Sequence, residues 1–299
     1  MSWFDLSRFT GRLRPGTTIV RVSGGLANQM LCYKLGRYLA EMRKEKLILD
    51  ASSYDRDPPD RNRNFQLTKY PIRYDELVES KVAMRRLDER NPLTFISREM
   101  CAVHSTAERA DLIQRIQSAP ILLCDLWLSL ALREELDDAA RRNGALDDLT
   151  LEWQKWFDDR DRELLSLIKS SADPVAIHVR RGDFATHDGN LLVTADYYNA
   201  SIAEITGRLP EALFVVFSDD IPWCRTNLRL DTRHRFVDWH DDSTAFKDMY
   251  LASQCAHFIL SNESTFSHQF VQLSQVRTDR ILIRSTMKDL ERNVTSALR

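Results

Sequence analysis

Val175-Ala176-Ile177-His178-Val179-Arg180-Arg181-Gly182-Asp183-Phe184 is the stretch on which the fold turns. A short run of this kind, almost wholly apolar, reads as a strand buried on both faces, and such strands belong to parallel sheets covered by helices. The run ends in two guanidiniums, a glycine and a carboxylate. Charge is thereby gathered where open α/β sheets bind ligands, beyond the carboxyl ends of their strands.

Downstream the pattern repeats in Phe214-Val215-Val216-Phe217, Arg235-Phe236-Val237-Asp238, Phe258-Ile259-Leu260 and Ile281-Leu282-Ile283, with helix-compatible segments between most of them. Upstream, Thr17 to Val22 forms a β-branched run that stops at Ser23-Gly24-Gly25. An amphipathic helix follows, carrying Leu26, Met30, Leu31, Leu35, Tyr38, Leu39 and Met42 at three- and four-residue spacings, and then a second strand, Leu47 to Asp50. Ala51 to Arg73 is polar and punctuated by Pro58-Pro59, a long loop. Ile121 to Asp125 reads as a third strand, followed by helical stretches at Leu132 to Arg142 and Leu149 to Ser170. Ser170-Ser171-Ala172-Asp173-Pro174 has the composition of a junction, giving domains 1–172 and 173–299. The expected class is α/β, with two Rossmann-like domains facing each other across a cleft.

Bulk properties agree and exclude other classes. At 299 residues the chain exceeds the size at which one core stops growing, and 43% hydrophobic with 29% charged residues is ordinary for a globular protein. Lys and Arg number 42 against 44 Asp and Glu, so no overall basic field exists to bind nucleic acid. Five widely spaced cysteines without a Cys-x-x-Cys pair point to reduced thiols in a reducing compartment. Met1 to Thr18 has neither the apolar core of a secretory leader nor the ~20 apolar residues of a membrane span. The expected location is cytoplasmic, and only the start Trp3 to Phe9 offers a peripheral contact with the inner membrane.

Several residues can carry chemistry. Gly25 and Asn28 lie where the first strand meets its helix, a turn that lets backbone approach an anion. Arg180 and Arg181 suit a diphosphate, because the planar guanidinium keeps its proton and bonds phosphate oxygens in pairs. The competing reading is that one of these arginines pairs with Asp183 or Asp219 and simply holds the interdomain face. Ser218 and Asp219 follow another strand, Asp248 opens a helix, and Ser264 and Thr265 lie in a polar turn after the Phe258 to Leu260 strand. Hydroxyls and amides at such turns bind phosphate or cap helices, and a buried carboxylate reads the N–H donors of guanine or caps its own helix. His234 and His240 make no metal-ligand spacing, and there is no His-Glu-x-x-His or Asp-x-Asp cluster, so no metal site is expected.

These segments in this order resemble the inverting α-1,2-fucosyltransferases, especially the bacterial ones that decorate surface polysaccharides. The resemblance is carried by Gly24 to Met30, His178 to Phe184, Phe217 to Asp220 with Trp223, and Asp248 to Ser267. It departs at Ser267-His268-Gln269-Phe270, where the family usually has a Trp-Trp-Gly-rich helix start, and at Asp125 to Leu130, which lacks the usual aromatic-Gln-Ser pattern. The resemblance implies a GT-B-type fold, with GDP-fucose bound mainly by the C-terminal half. It makes Arg180 the β-phosphate ligand, His178 a guanosine contact, Asp248 the guanine acceptor, Ser264 and Thr265 neighbours of the phosphates, and Asn28 a residue of the acceptor-side domain that faces the cleft. GDP-fucose would be a donor substrate, no cofactor is implied, and the acceptor would be an oligosaccharide or lipid-linked glycan ending in galactose.

The reaction expected is a displacement at the anomeric carbon with inversion, whose main demand is stabilising the departing diphosphate. Arg180 is expected to meet that demand, with Arg181 positioning the loop or adding charge. Asp183 and Asp188 are the candidates for the base that takes the acceptor proton.

Overall fold

The computed structural model describes residues 16–55, 64–83, 94–96, 114, 118, 121–124, 130–182, 185, 191–261, 264–274 and 278–292. Two compact units divide the chain, Met1–Thr150 and Leu151–Arg299.

The first unit is built on a five-stranded sheet in the order β3-β2-β1-β5-β4. Its strands are β1 (Thr17–Arg21), β2 (Lys46–Asp50), β3 (Glu76–Val78), β4 (Thr94–Ile96) and β5 (Ile121–Cys124), and every pairing is parallel. Ile19, Val20, Leu47, Ile48 and Leu49 are buried, as a strand covered on both faces requires. Helix α1 (Leu26–Arg43) lies directly on this sheet. Gly36 makes the close approach possible: a Cβ there would come within 2.6 Å of a Val20 methyl and 2.8 Å of a Leu47 methyl. The helix ends at Lys44, whose left-handed backbone lets its N–H reach the carbonyls of Ala40 and Glu41. Helix α2 (Leu130–Arg142) packs on α1, and Lys34 and Asp137 form a buried ion pair between the two helices.

The second unit repeats the design. Its sheet runs β11-β10-β6-β8-β9, made of β6 (Pro174–Val179), β8 (Leu213–Ser218), β9 (His234–Phe236), β10 (His257–Leu260) and β11 (Leu282–Arg284), again all parallel. The first strand in sequence, β6, is central, with β8 and β9 to one side and β10 and β11 to the other. The chain therefore changes direction between β6 and β10, the switch point where doubly wound sheets bind ligands. Around the sheet lie α3 (Asp159–Ser170), α4 (Ala195–Arg208), α5 (Ile221–Asn227), α6 (Ala245–Ser253) and α7 (Thr265–Leu273). Val175, Ile177, Phe214, Val216 and Ile259 of the sheet share one core with Tyr198, Ile202 and Ile205 of α4. A two-stranded antiparallel ribbon, β7 (Leu191–Val193) with β12 (Leu290–Arg292), completes the unit.

The strands expected from apolar runs are present, and the expected α/β class with parallel sheets is the class observed. Four strands of three residues each, β3, β4, β7 and β12, have no counterpart among the sequence expectations. The helix expected from Leu149 begins only at Asp159, because Trp153–Lys155 forms a separate turn and Asp158 caps the helix proper. The Ser170 to Pro174 segment, read as the junction of domains 1–172 and 173–299, is the turn from α3 into β6 inside the second unit.

Candidate nucleotide-sugar site

Arg180 follows directly on β6, and its neighbours are organised by one side chain from the end of β8. Asp219 pairs with the Arg180 guanidinium through Oδ2. Its Oδ1 accepts the main-chain N–H groups of Arg181 at 2.8 Å and Gly182 at 2.9 Å. Gly182 is required there, since an added Cβ would fall 2.5 Å from Asp219 Oδ2. The pairing of Arg180 with Asp219 that the sequence left open is present; Asp183 and Asp188 lie outside the described residues.

Arg181 turns away from Arg180 in its partners. Its Nε donates to Asp220 Oδ2 at 3.2 Å, and its guanidinium stacks 4.2 Å over the Trp223 ring. Asp220 also caps α5 through the Trp223 N–H, and Ser218 Oγ accepts the Asp220 N–H at 2.9 Å. Ser218 and Arg181 thus hold the turn after β8, while Arg180 carries the charge nearer its surface.

His178, the last residue but one of β6, is buried. Its Nδ1 meets Ser267 Oγ at 2.6 Å, and its ring packs against Phe266 in a tilted pair and against Phe270 in a T-shaped one. Burial, aided by the Arg180 cation, pushes its pKa down to about 3, so the ring is neutral. Ser267 and Phe270, in the segment that departs from the family pattern, are therefore its supports. Ser264 is the N-cap of α7 and Thr265 its first residue, both beyond the end of β10 and next to the switch point.

Asp248 does not open a helix as its sequence context suggests. The structure starts α6 at Ala245 with Thr244 as N-cap, which places Asp248 at the fourth helical position and removes the capping role. Its Oδ1 faces His240 Nδ1 at 2.6 Å instead, and His240 Nε2 faces Asp161 Oδ1 at 2.7 Å. Asp161 in turn accepts from Trp239 Nε1 at 2.9 Å and Lys247 Nζ at 2.7 Å.

In the first unit, Gly24 has a positive φ of 77° and Gly25 precedes α1 in extended backbone. Asn28 lies on the first turn, its side chain against Gly24. Gln29, fully buried, fixes the turn by donating to the carbonyls of Gly24 and Asn64 and accepting the Gln66 N–H. Tyr54 adds a hydroxyl donor to the Gly24 carbonyl at 2.8 Å.

Among the described residues no group of three or more His, Cys, Asp or Glu side chains is arranged to hold a metal ion, and no helix is long and apolar enough to cross a membrane.

Comparison with known proteins now decides the family, because the model described as glycosyl transferase family 11 matches residues 145–297, half of the chain and nearly all of the second unit. The chain belongs to glycosyl transferase family 11. The O-antigen biosynthesis glycosyltransferase WbnK of Escherichia coli is 26% identical over 270 residues, which cover 82% of this chain and 86% of the relative. An α-1,2-colitosyltransferase of the same organism is also 26% identical, over 82% of this chain and 84% of its own length. Among solved structures the fucosyltransferase NodZ from Bradyrhizobium superposes with a TM-score of 0.55 at 15% identity, over 94% of this chain and 98% of that one. That likeness is one of fold, and it agrees with the expected GT-B-type class.

For this family 11 glycosyltransferase, sequence reasoning misses the residues that act at a distance in the chain. Asp161, His240, Gln29 and Ser267 each make at least one contact with a partner far along the sequence, and their roles rest on those contacts. Asp219 stands out in the sequence, but its double grip on the arginine turn becomes visible only when β6 and β8 are paired, Val179 beside Ser218.

Proposed function

We propose that the chain transfers L-fucose from GDP-β-L-fucose to O2 of a terminal galactose on a glycan acceptor, with inversion and without a metal ion. The observation that carries this reading is Arg180 at the mouth of the central strand, backed by Asp219 and adjoining the switch point between β6 and β10. An acceptor hydroxyl attacks the anomeric carbon from the face opposite GDP. The bond from that carbon to the β-phosphate oxygen breaks, the electron pair leaves with GDP, and Arg180 stabilises the charge that builds on the diphosphate. Asp183 or Asp188 takes the hydroxyl proton.

Around that step the other residues hold the donor. Arg181, tied to Asp220 and Trp223, keeps the turn in place. Ser218 and Asp219 shape the same turn, and Ser264 and Thr265, with the main-chain amides that begin α7, lie near the phosphates. His178 contributes a neutral ring to the guanosine side, and Asp248 accepts from the N1–H and exocyclic amine of guanine. Gly25 and Asn28 serve the acceptor-side domain. The resemblance to α-1,2-fucosyltransferases and the likeness to WbnK support a role in building a cell-surface polysaccharide at the cytoplasmic side of the inner membrane.

A second reading keeps the nucleotide and changes the sugar or the linkage, and the similarity to an α-1,2-colitosyltransferase favours it as the alternative. Incubating the protein with GDP-fucose, GDP-mannose and UDP-galactose in the presence of a panel of β-galactosides separates the two. Transfer from GDP-fucose with an α-1,2 product supports the first reading; preference for another donor, or no transfer to any β-galactoside, rejects it.

A further inference from the structure

The imidazole of His240 is almost fully enclosed and has a carboxylate on each nitrogen: Asp248 Oδ1 at 2.6 Å from Nδ1, Asp161 Oδ1 at 2.7 Å from Nε2. A neutral imidazole has a single N–H, and its other nitrogen would face a carboxylate lone pair to lone pair. Both contacts are satisfied only by the imidazolium. Burial opposes that charge, but the two carboxylates more than offset it and raise the His240 pKa.

The two ends of this chain of groups differ. At the inner end, Asp161 is held by Trp239 Nε1, Lys247 Nζ and the Asp158 main-chain N–H, and its pKa is lowered despite burial. At the outer end, Asp248 has His240 alone, and among the described residues its Oδ2 accepts no hydrogen bond. Burial raises the Asp248 carboxyl above the ordinary carboxylate value, and the His240 contact is the main influence opposing that rise. Among the described residues, the charged groups paired with His240 are Asp161 of α3 and Asp248 of α6; Lys247 of α6 joins Asp161 to Asp158, the N-cap of α3, and Arg160 lies 4.5 Å over the neighbouring Trp239 ring.

We propose that His240 is a positioning residue for nucleotide selectivity: clamped to Asp161, it fixes Asp248 as an ionised carboxylate whose second oxygen is left to accept the N–H donors of a guanine base. The proposal rests on Asp248 being the guanine acceptor. A protonated Asp248 would turn an O–H toward donors that need an acceptor, so the state of His240 decides whether the base is recognised.

The test titrates GDP and ADP into the full chain and into His240→Gln and Asp248→Asn variants between about pH 5.5 and 8.5, with a thermal melt of each. Wild type keeps its preference for GDP across the range. His240→Gln binds GDP about tenfold more weakly near neutrality, by loss of one buried partner. Its loss deepens as the pH falls and Asp248 takes up a proton, and its ADP binding is unchanged. A variant that melts lower yet keeps the GDP preference and the flat pH profile would overturn the proposal, leaving His240 a packing residue. Asp248→Asn separates the layers. Selectivity lost there but kept in His240→Gln rejects only the positioning role, whereas selectivity kept in both rejects the guanine reading itself. If His240→Gln does not fold, nitrogen NMR of the wild-type imidazole decides: two protonated ring nitrogens at neutral pH, shifted by GDP and not by ADP, support the clamp, and a neutral ring refutes it.

Discussion

Asp219 holds Arg180 from two sides at once, gripping its guanidinium with one carboxylate oxygen and the N–H groups of the next two residues with the other. Asp219 thus engages both the guanidinium and the backbone that carries it. In the role proposed for Arg180, such preorganisation would spare the reaction the cost of arranging a donor when the diphosphate departs.

Replacing Arg180 by lysine keeps a positive charge but loses the planar fork that Asp219 aligns. Turnover is expected to fall by about 10²–10³-fold, the loss of ~2.7–4 kcal/mol typical of one preorganised donor. The melting temperature should change little, because a partly exposed ion pair contributes only about 0–1 kcal/mol to stability. Initial rates with GDP-fucose beside a thermal melt check both parts. Unchanged turnover in a folded lysine variant means Arg180 is not the phosphate ligand.

Gly182→Ala tests the turn without touching a charge. The added methyl would lie 2.5 Å from Asp219 Oδ2, so the carboxylate or the turn must shift. Overpacking of this kind costs about 1–3 kcal/mol. Turnover should fall with stability, and a variant with wild-type rate and melting temperature would show that the close packing is not needed.

The parallel sheets were legible because strands such as β6 and β8, buried at nearly every position, need uninterrupted apolar sequence. Three-residue strands such as β3 and β7 offer too few side chains to show any period. The arginine turn was equally plain, since Arg180, Arg181 and Gly182 are adjacent. The Asp161 to Asp248 network was not: its carboxylates lie 87 residues apart by their numbers, and Asp161 taken alone reads as an ordinary acidic residue in the first turn of a helix.

His178 and His240 make opposite contributions to stability as pH changes. His178 is neutral in the fold, with a pKa of about 3 against 6.5 when unperturbed, so its contribution is whole above pH 6.5 and drains away as the pH falls toward 3. The slope is at most about 1.4 kcal/mol per pH unit. His240 has a raised pKa; its contribution is complete below the ordinary histidine value and is lost as pH rises through the raised one. Denaturant unfolding of wild type and His178→Gln between neutral and mildly acidic pH should show a shallower acid loss in the variant. Equal slopes would mean that His178 is not held neutral.

The proposal that Arg180 takes the place of a metal ion predicts that transfer survives chelation. Activity with GDP-fucose should be the same before and after EDTA treatment. A strict requirement for added magnesium or manganese would move the stabilisation of the departing diphosphate from Arg180 to a cation.

Helix α3 sets a rule for recombining relatives of this chain. Asp161 and Asp158 sit on and before that helix, ahead of β6, yet their partners Trp239, His240 and Lys247 lie beyond β9. A chimera spliced at the composition break near Asp173 would take His240 and Asp248 from one parent and their distant anchor, Asp161, from the other. Cutting ahead of Leu151 keeps both in one inheritance, which makes that seam, and not the more obvious one, the place to graft a new first unit onto an intact second unit.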